Sequence, residues 1–145
     1  MSSFGPHLIA GIATGTVGTI ATACLATNLN WMCALPLVAG VSGALTPDMD
    51  IKSKSSMFMY LLFTVTAVTL FLAGFTGWAF LLLLYSIIPQ FFGHRGFIHS
   101  FVFGLISTVG LGIICHYNNV DMDIAGGIMA SYFFGFLTHI ALDEA

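Results

Sequence analysis

Residues 57–92 read MFMYLLFTVTAVTLFLAGFTGWAFLLLLYSIIPQFF, an apolar run with no charged side chain. How this run divides decides the fold. A bilayer core takes about 20 helical residues per crossing, so the run is too long for one span and slightly short for two. Gly74-Phe75-Thr76-Gly77 is the best place for a tight turn. The reading is therefore two short spans, Met57–Ala73 and Trp78–Phe92, with Pro89 bending the second.

The rest of the chain has the same character. Of 145 residues, 58% are hydrophobic and 6% charged, and the mean hydropathy is +1.00. Soluble domains carry about a quarter charged residues, so this composition marks an integral membrane protein, expected to form one domain over 1–145. A net charge of −3 with no basic run excludes a nucleic-acid partner. Cys24, Cys33 and Cys115 are isolated in apolar surroundings and read as buried free thiols. The N-terminus lacks a Lys/Arg-rich leader region, so its first apolar stretch reads as a retained span.

Outward from the central run, four more spans emerge. The first follows Gly5-Pro6 and continues to about Thr27, with His7, Gly11 and Gly15 every four residues and Gly18 close to the same stripe. Small residues at that spacing let membrane helices approach closely. The second, Trp31–Thr46, is stopped by Pro47. The fifth, Phe97–Cys115, carries Gly96, Ser100, Gly104, Thr108 and Gly112 on one stripe. The sixth, Ile124–Leu142, carries Gly127, Ser131, Gly135, His139 and Asp143. The expected fold is thus all-α, an integral membrane bundle of about six short transmembrane helices.

Counting crossings sorts the polar residues. With His7 on one side, six crossings return Asp48 and Asp50, then His94, Arg95 and His99, then His139 and Asp143 to that side. His116, Asp121 and Asp123 fall on the other. Lys52, Lys54 and Arg95, all the Lys and Arg of the chain, share the side of His7, which the positive-inside rule assigns to the cytoplasm.

Each of these residues has a plain reading and a chemical one. Pro47-Asp48-Met49-Asp50 is a common turn sequence; in an extended segment its two carboxylates would also point the same way and face one cation. His139 and Asp143, four apart at a helix end, fit two metal ligands, or a ligand with an orienting carboxylate, or a histidine favoured by a helix C-terminus beside a solvated Asp. His7 is either a packed interfacial histidine or a ligand. In Gly93-His94-Arg95-Gly96-Phe97-Ile98-His99-Ser100, Arg95 and His99 share a face if a helix begins by Gly96. Arg95 suits contact with an anionic oxygen, or snorkels to head groups. Ser100 reads mainly as a small packing residue.

Imidazole and carboxylate ligands without thiolate suit Zn²⁺, Mn²⁺ or Fe²⁺, zinc first. Four His and three Asp exceed the needs of one tetrahedral ion, so one or two ions are expected. Such a site activates water near neutral pH, and an adjacent Arg stabilises developing negative charge. Together these parts specify metal-assisted hydrolysis of an anionic ester. At a membrane interface that ester is a phosphoester of a lipid or lipid-like molecule. A metal-ion transporter using intramembrane ionisable residues, or a membrane protein with a structural or regulatory metal, are the alternatives.

An early His, Leu45-Thr46-Pro47-Asp48-Met49-Asp50, His94-Arg95-Gly96-Phe97-Ile98-His99-Ser100 and His139-Ile140-Ala141-Leu142-Asp143, in that order, resemble the YdjM-like family of membrane-bound metal-dependent hydrolases. The resemblance covers essentially the whole chain. It implies that Asp48, Asp50, His94, His99, His139 and Asp143 are metal-site residues, joined by His7. On their chemistry, Arg95 and Asp50 are expected in catalytic roles. The resemblance also implies a bacterial inner-membrane location. Members of that family usually continue past the final Asp into further apolar sequence, so a chain ending at Ala145 is expected to be a short member or a truncated one.

Overall fold

A computed structural model describes residues 4–26, 29–50, 53–74, 76–91 and 96–144, without the Asp50 side chain. Among them are six α-helices and no strand: α1 (Phe4–Leu25), α2 (Leu35–Leu45), α3 (Lys54–Leu72), α4 (Thr76–Ile87), α5 (Phe101–Tyr117) and α6 (Met122–Glu144). The all-helical bundle expected from the sequence is what forms. At 22, 19 and 23 residues, α1, α3 and α6 are long and apolar enough to cross a membrane. At about 1.5 Å per residue they reach about 28–35 Å, against an apolar core of about 30 Å. The other three are shorter. Bulky apolar side chains such as Ile9, Val17, Leu61, Phe71, Phe80 and Phe101 are exposed along the helices, the surface expected of a chain solvated by lipid.

Local chemistry places the breaks. Asn30 accepts from the Met32 amide at 2.8 Å and opens a 3₁₀ turn, Trp31–Ala34, that runs into α2. Pro36 sits in the first turn of α2, where its missing N–H has no cost. Ser53 and Ser56 form a reciprocal capping box at the head of α3. Gly74, at φ +87°, takes the left-handed conformation that ends this helix, so the long apolar run divides at the expected turn. Pro89 has a stronger effect than the expected bend: α4 stops at Ile87, and Ile88–Phe91 tightens into a 3₁₀ turn. Asn119, at φ 53°, reverses the chain between α5 and α6.

At the centre of the bundle α1, α2 and α6 pack on one another. Glycine makes this possible. A Cβ on Gly11 would lie 2.8 Å from the Val41 Cα, one on Gly15 2.7 Å from the Leu37 Cα, and one on Gly40 2.6 Å from the Gly15 Cα. Gly43 and Gly135 meet the α6 and α2 backbones as closely. Nearer the other end the contacts are reciprocal: Ser131 of α6 lies over Gly18 of α1, and Thr22 of α1 over Gly127 of α6. Both hydroxyls are buried with no conventional hydrogen bond among the described residues. The glycine backbones they face are suited to weak Cα–H···O contacts.

Around this core, α5 leans on α6, with Gly104 against the Phe136 ring and Gly112 against Met129. The α3–α4 hairpin is joined through Leu45, Met49 and Met59, all at most 1% exposed. It is also tied by two tyrosines: Tyr60 donates to the Met49 carbonyl at 2.6 Å, and the Tyr85 and Tyr132 hydroxyls meet at 3.1 Å. Cys33 and Cys115 are buried free thiols as expected. Cys24 is not: it is exposed on α1, where a small apolar thiol is compatible with lipid.

Candidate metal centre

The close helix packing carries four chain segments to one end of the bundle. His7 lies in the second turn of α1, one helical step before Gly11. His139 and Asp143 extend the Gly135 row to the end of α6. Asp48 is in the 3₁₀ turn Pro47–Asp50 that follows α2, and His99 in the 3₁₀ turn Phe97–His99 that precedes α5. His116, Asp121 and Asp123 lie at the opposite helix ends and are exposed.

Two of the local expectations change. Asp48 and Asp50 are not in an extended segment but in a 3₁₀ turn, where successive residues rotate by about 120°. The alternation that would aim both carboxylates the same way does not apply. The turn follows because Thr46, capping α2, donates its hydroxyl to the Ser42 carbonyl at 2.7 Å and accepts the Met49 amide at 3.1 Å on its own carbonyl. Met49 is then driven into the α3 contact, leaving Asp48 facing α6. At the other turn, Gly96 precedes only the short 3₁₀ turn Phe97–His99, and no α-helix begins there. The chain bends there and α5 starts at Phe101, with the Ser100 hydroxyl accepting the Phe103 amide at 3.1 Å. Ser100 is therefore a helix cap; the shared face expected of Arg95 and His99 involves Arg95, which lies outside the described residues. Ile98, fully buried against Phe103 and Phe136, anchors the turn that carries His99.

Asp48, His99, His139 and Asp143 each offer a ligand atom, and these atoms all lie within 4.8 Å of one another. His139 Nε2 is 3.5 Å from Asp48 Oδ1 and 3.4 Å from Asp143 Oδ2. His99 Nε2 is 3.8 Å from the same Asp143 oxygen. His7 stacks on His139 with ring centroids 3.9 Å apart, and its Nε2 is 3.3 Å from Asp143 Oδ1. The structure thus brings together His7, Asp48, His99, His139 and Asp143. His94, Arg95 and the Asp50 side chain, also expected at the site, lie outside the described residues.

The donor set fits a cation. His139 Nδ1 is 2.6 Å from the Ala44 carbonyl oxygen. A carbonyl only accepts, so Nδ1 carries the proton and donates it. In the neutral form, His139 would turn the lone pair of Nε2, buried and without a hydrogen bond among the described residues, toward two carboxylate oxygens. A positive charge between the three atoms would satisfy such an arrangement. A proton would draw them to the charge-assisted separation of about 2.7–2.9 Å. Two ligand atoms each about 2.1 Å from one tetrahedral ion stand about 3.4 Å apart, and the observed 3.4 and 3.5 Å match that spacing.

The Ala44 carbonyl is a functional group the sequence reading missed, as was the Tyr85–Tyr132 pair. No residue type marks a backbone oxygen as a histidine's partner. The nearest signal is that Ala44 belongs to the last turn of α2, whose carbonyls lack helical partners.

No curated protein and no solved structure matches the chain. The family description of the YdjM inner membrane proteins matches residues 1–145, the full length. With six helices, three of them long enough to span a bilayer, and a His/Asp cluster at one end able to hold a metal, the chain belongs to the YdjM inner membrane protein family.

Proposed function

We propose that this chain is a membrane-bound, metal-dependent hydrolase that cleaves a phosphoester of a lipid or lipid-like substrate at the cytoplasmic face. The observation that carries the reading is the His139 lone pair, held by the Ala44 carbonyl and aimed between Asp48 and Asp143. Asp48, His99, His139 and Asp143 would hold the ion, with Zn²⁺ favoured and Mn²⁺ or Fe²⁺ compatible with nitrogen and oxygen donors. A divalent cation there supplies Lewis acidity and lowers the pKa of water to about 7.

The surrounding residues do the rest. Helix packing keeps His7 and His139 fully buried, and Asp143 is the most accessible of the four candidate ligands, so substrate would approach from the side of Asp143. Being at helix ends, it would lie near the level of phosphate head groups. Arg95, immediately before the His99 turn in sequence, is the group for a phosphoryl oxygen. Its removal is expected to slow turnover by about 10²-fold or more with the metal retained.

A second reading has its own support. Four ligands from the chain are the number of a closed structural site, and three of the four are at least nine-tenths buried or nearly so. The two readings separate in one experiment. Metal-loaded protein, the Arg95→Ala variant and a chelated control are assayed on a panel of phosphoester lipids. Chelator-sensitive cleavage that falls in Arg95→Ala supports the hydrolase. Absence of cleavage by the loaded protein, with unfolding on chelation, overturns it in favour of a structural metal. Metal flux into proteoliposomes without hydrolysis favours a transporter.

A further inference from the structure

None of the four candidate ligands lies on α3 or α4, yet among the described residues this hairpin meets the core largely at the turn that carries Asp48. Met49 is the point of contact. Its side chain is 1% exposed and lies with Leu45 and Met59, both fully buried. The peptide groups on either side of its Cα are both held. The Met49 amide donates to the Thr46 carbonyl at 3.1 Å, and the Met49 carbonyl accepts the Tyr60 hydroxyl at 2.6 Å. The first bond is local to the turn. The second comes from the second turn of α3, 11 residues further along the chain.

That bond bears on Asp48. The peptide link between Asp48 and Met49 is planar, so a Met49 fixed on both sides fixes where the Asp48 Cα sits. Successive residues of a 3₁₀ turn rotate by about 120°. With Met49 turned into α3, Asp48 is left facing α6, where its Oδ1 lies 3.5 Å from His139 Nε2. A turn of four residues has little rigidity of its own, and the Tyr60 hydroxyl ties it to a helix of 19 residues. At 2.6 Å the bond is at the short end of the O–H···O range.

We infer that Tyr60 is a positioning residue for the metal centre: through the Met49 carbonyl it sets the turn that presents Asp48, so that docking of the α3–α4 hairpin and binding of metal are linked. The inference rests on the preceding reading that the cluster holds metal, and it adds a residue that acts on the site through the backbone of the turn. Partners that orient a ligand from behind contribute to metal affinity without touching the ion. The linkage is reciprocal: metal stabilises the docked hairpin by the free energy with which the docked hairpin favours metal.

Co²⁺, whose visible absorption reports ligand geometry, is the probe. Protein purified in detergent is loaded with Co²⁺, and affinity is measured by competition with a chelator. Tyr60→Phe keeps the ring and removes the hydroxyl. It is expected to weaken Co²⁺ binding about 10-fold, the lower end of the effect of partners behind metal ligands, and to alter the visible spectrum. Thr108→Val removes a buried hydroxyl bond within α5, 2.7 Å to the Gly104 carbonyl, and is expected to change neither. Affinity and spectrum of the unmodified chain in Tyr60→Phe, or equal losses in both variants, overturn the positioning role. Hydrogen exchange on the unmodified chain tests the link without a substitution. Co²⁺ is expected to slow amide exchange in the first two turns of α3 as well as at residues 46–50, and protection confined to α5 and α6 overturns the link. An unmodified chain that binds no Co²⁺ overturns the metal reading itself, and the positioning role with it.

Discussion

The Ala44 carbonyl and the His139 imidazole, joined at 2.6 Å, couple helix packing to site chemistry. Ala44 reaches His139 because Gly40 and Gly43 of α2 sit against Gly135 and the Tyr132 carbonyl of α6. The same contact that packs the bundle favours the tautomer with Nδ1 protonated and leaves Nε2 able to act as a ligand atom. A backbone acceptor cannot be lost by side-chain substitution, so this hold on His139 depends on the helix separation, with the His7 stack as a second constraint.

Metal content follows from this arrangement. Bound metal is expected to fall sharply in His139→Ala and in Asp48→Asn, and to stay at the unmodified level in His116→Ala, which lies at the other end of the bundle. Elemental analysis of the purified variants checks it. Equal metal in all of them would remove His139 and Asp48 from the site.

Substitution at Gly40 should be among the most damaging in the chain. A side chain there meets the Gly15 backbone at 2.6 Å, and backbone cannot step aside as a side-chain tip can. Gly40→Leu is expected to destabilise by about 3 kcal/mol or more, at the upper end of overpacking costs, and to lower metal content as His139 shifts. Gly110→Leu, where a Cβ meets nothing within 4 Å, is the control. Thermal unfolding in detergent compares them, and similar midpoints for both variants would contradict the packing account.

Tyr85 and Tyr132 join the hairpin to the core through one hydroxyl–hydroxyl contact at 3.1 Å. Each Phe variant should cost about 1 kcal/mol. The double variant should cost less than the sum of the two, since both remove the same bond. Strict additivity in unfolding measurements would show that the contact contributes nothing.

If all six helices cross the membrane in the proposed orientation, Lys54 and Asn118 lie on opposite faces, with Lys54 cytoplasmic. In a Cys-free background, Lys54→Cys is expected to react with an impermeant thiol reagent only from the cytoplasmic side, and Asn118→Cys only from the other. Labelling of both from one side would refute the six-span arrangement.

The helices, their number and the stripes on which they pack were legible in the sequence. A membrane imposes a length on every span, and close helix approach imposes small residues at helical spacing; both leave linear traces. Gly11 and Gly15, Gly40 and Gly43, and Gly135 are such traces, and each is buried against another backbone. Side-counting also grouped His7, Asp48, His99, His139 and Asp143, because alternate crossings return the chain to the same face. Tertiary structure decided the rest. Local hydrogen bonding at Thr46 and Ser100 made 3₁₀ turns where the spacing alone suggested an extended segment and an early helix. The Ala44 oxygen on His139, the ring stack with His7 and the division of Asp143 between two imidazole sets arise only when α1, α2 and α6 meet. Those relationships depend on separations between segments distant in sequence, for which residue order carries no measure.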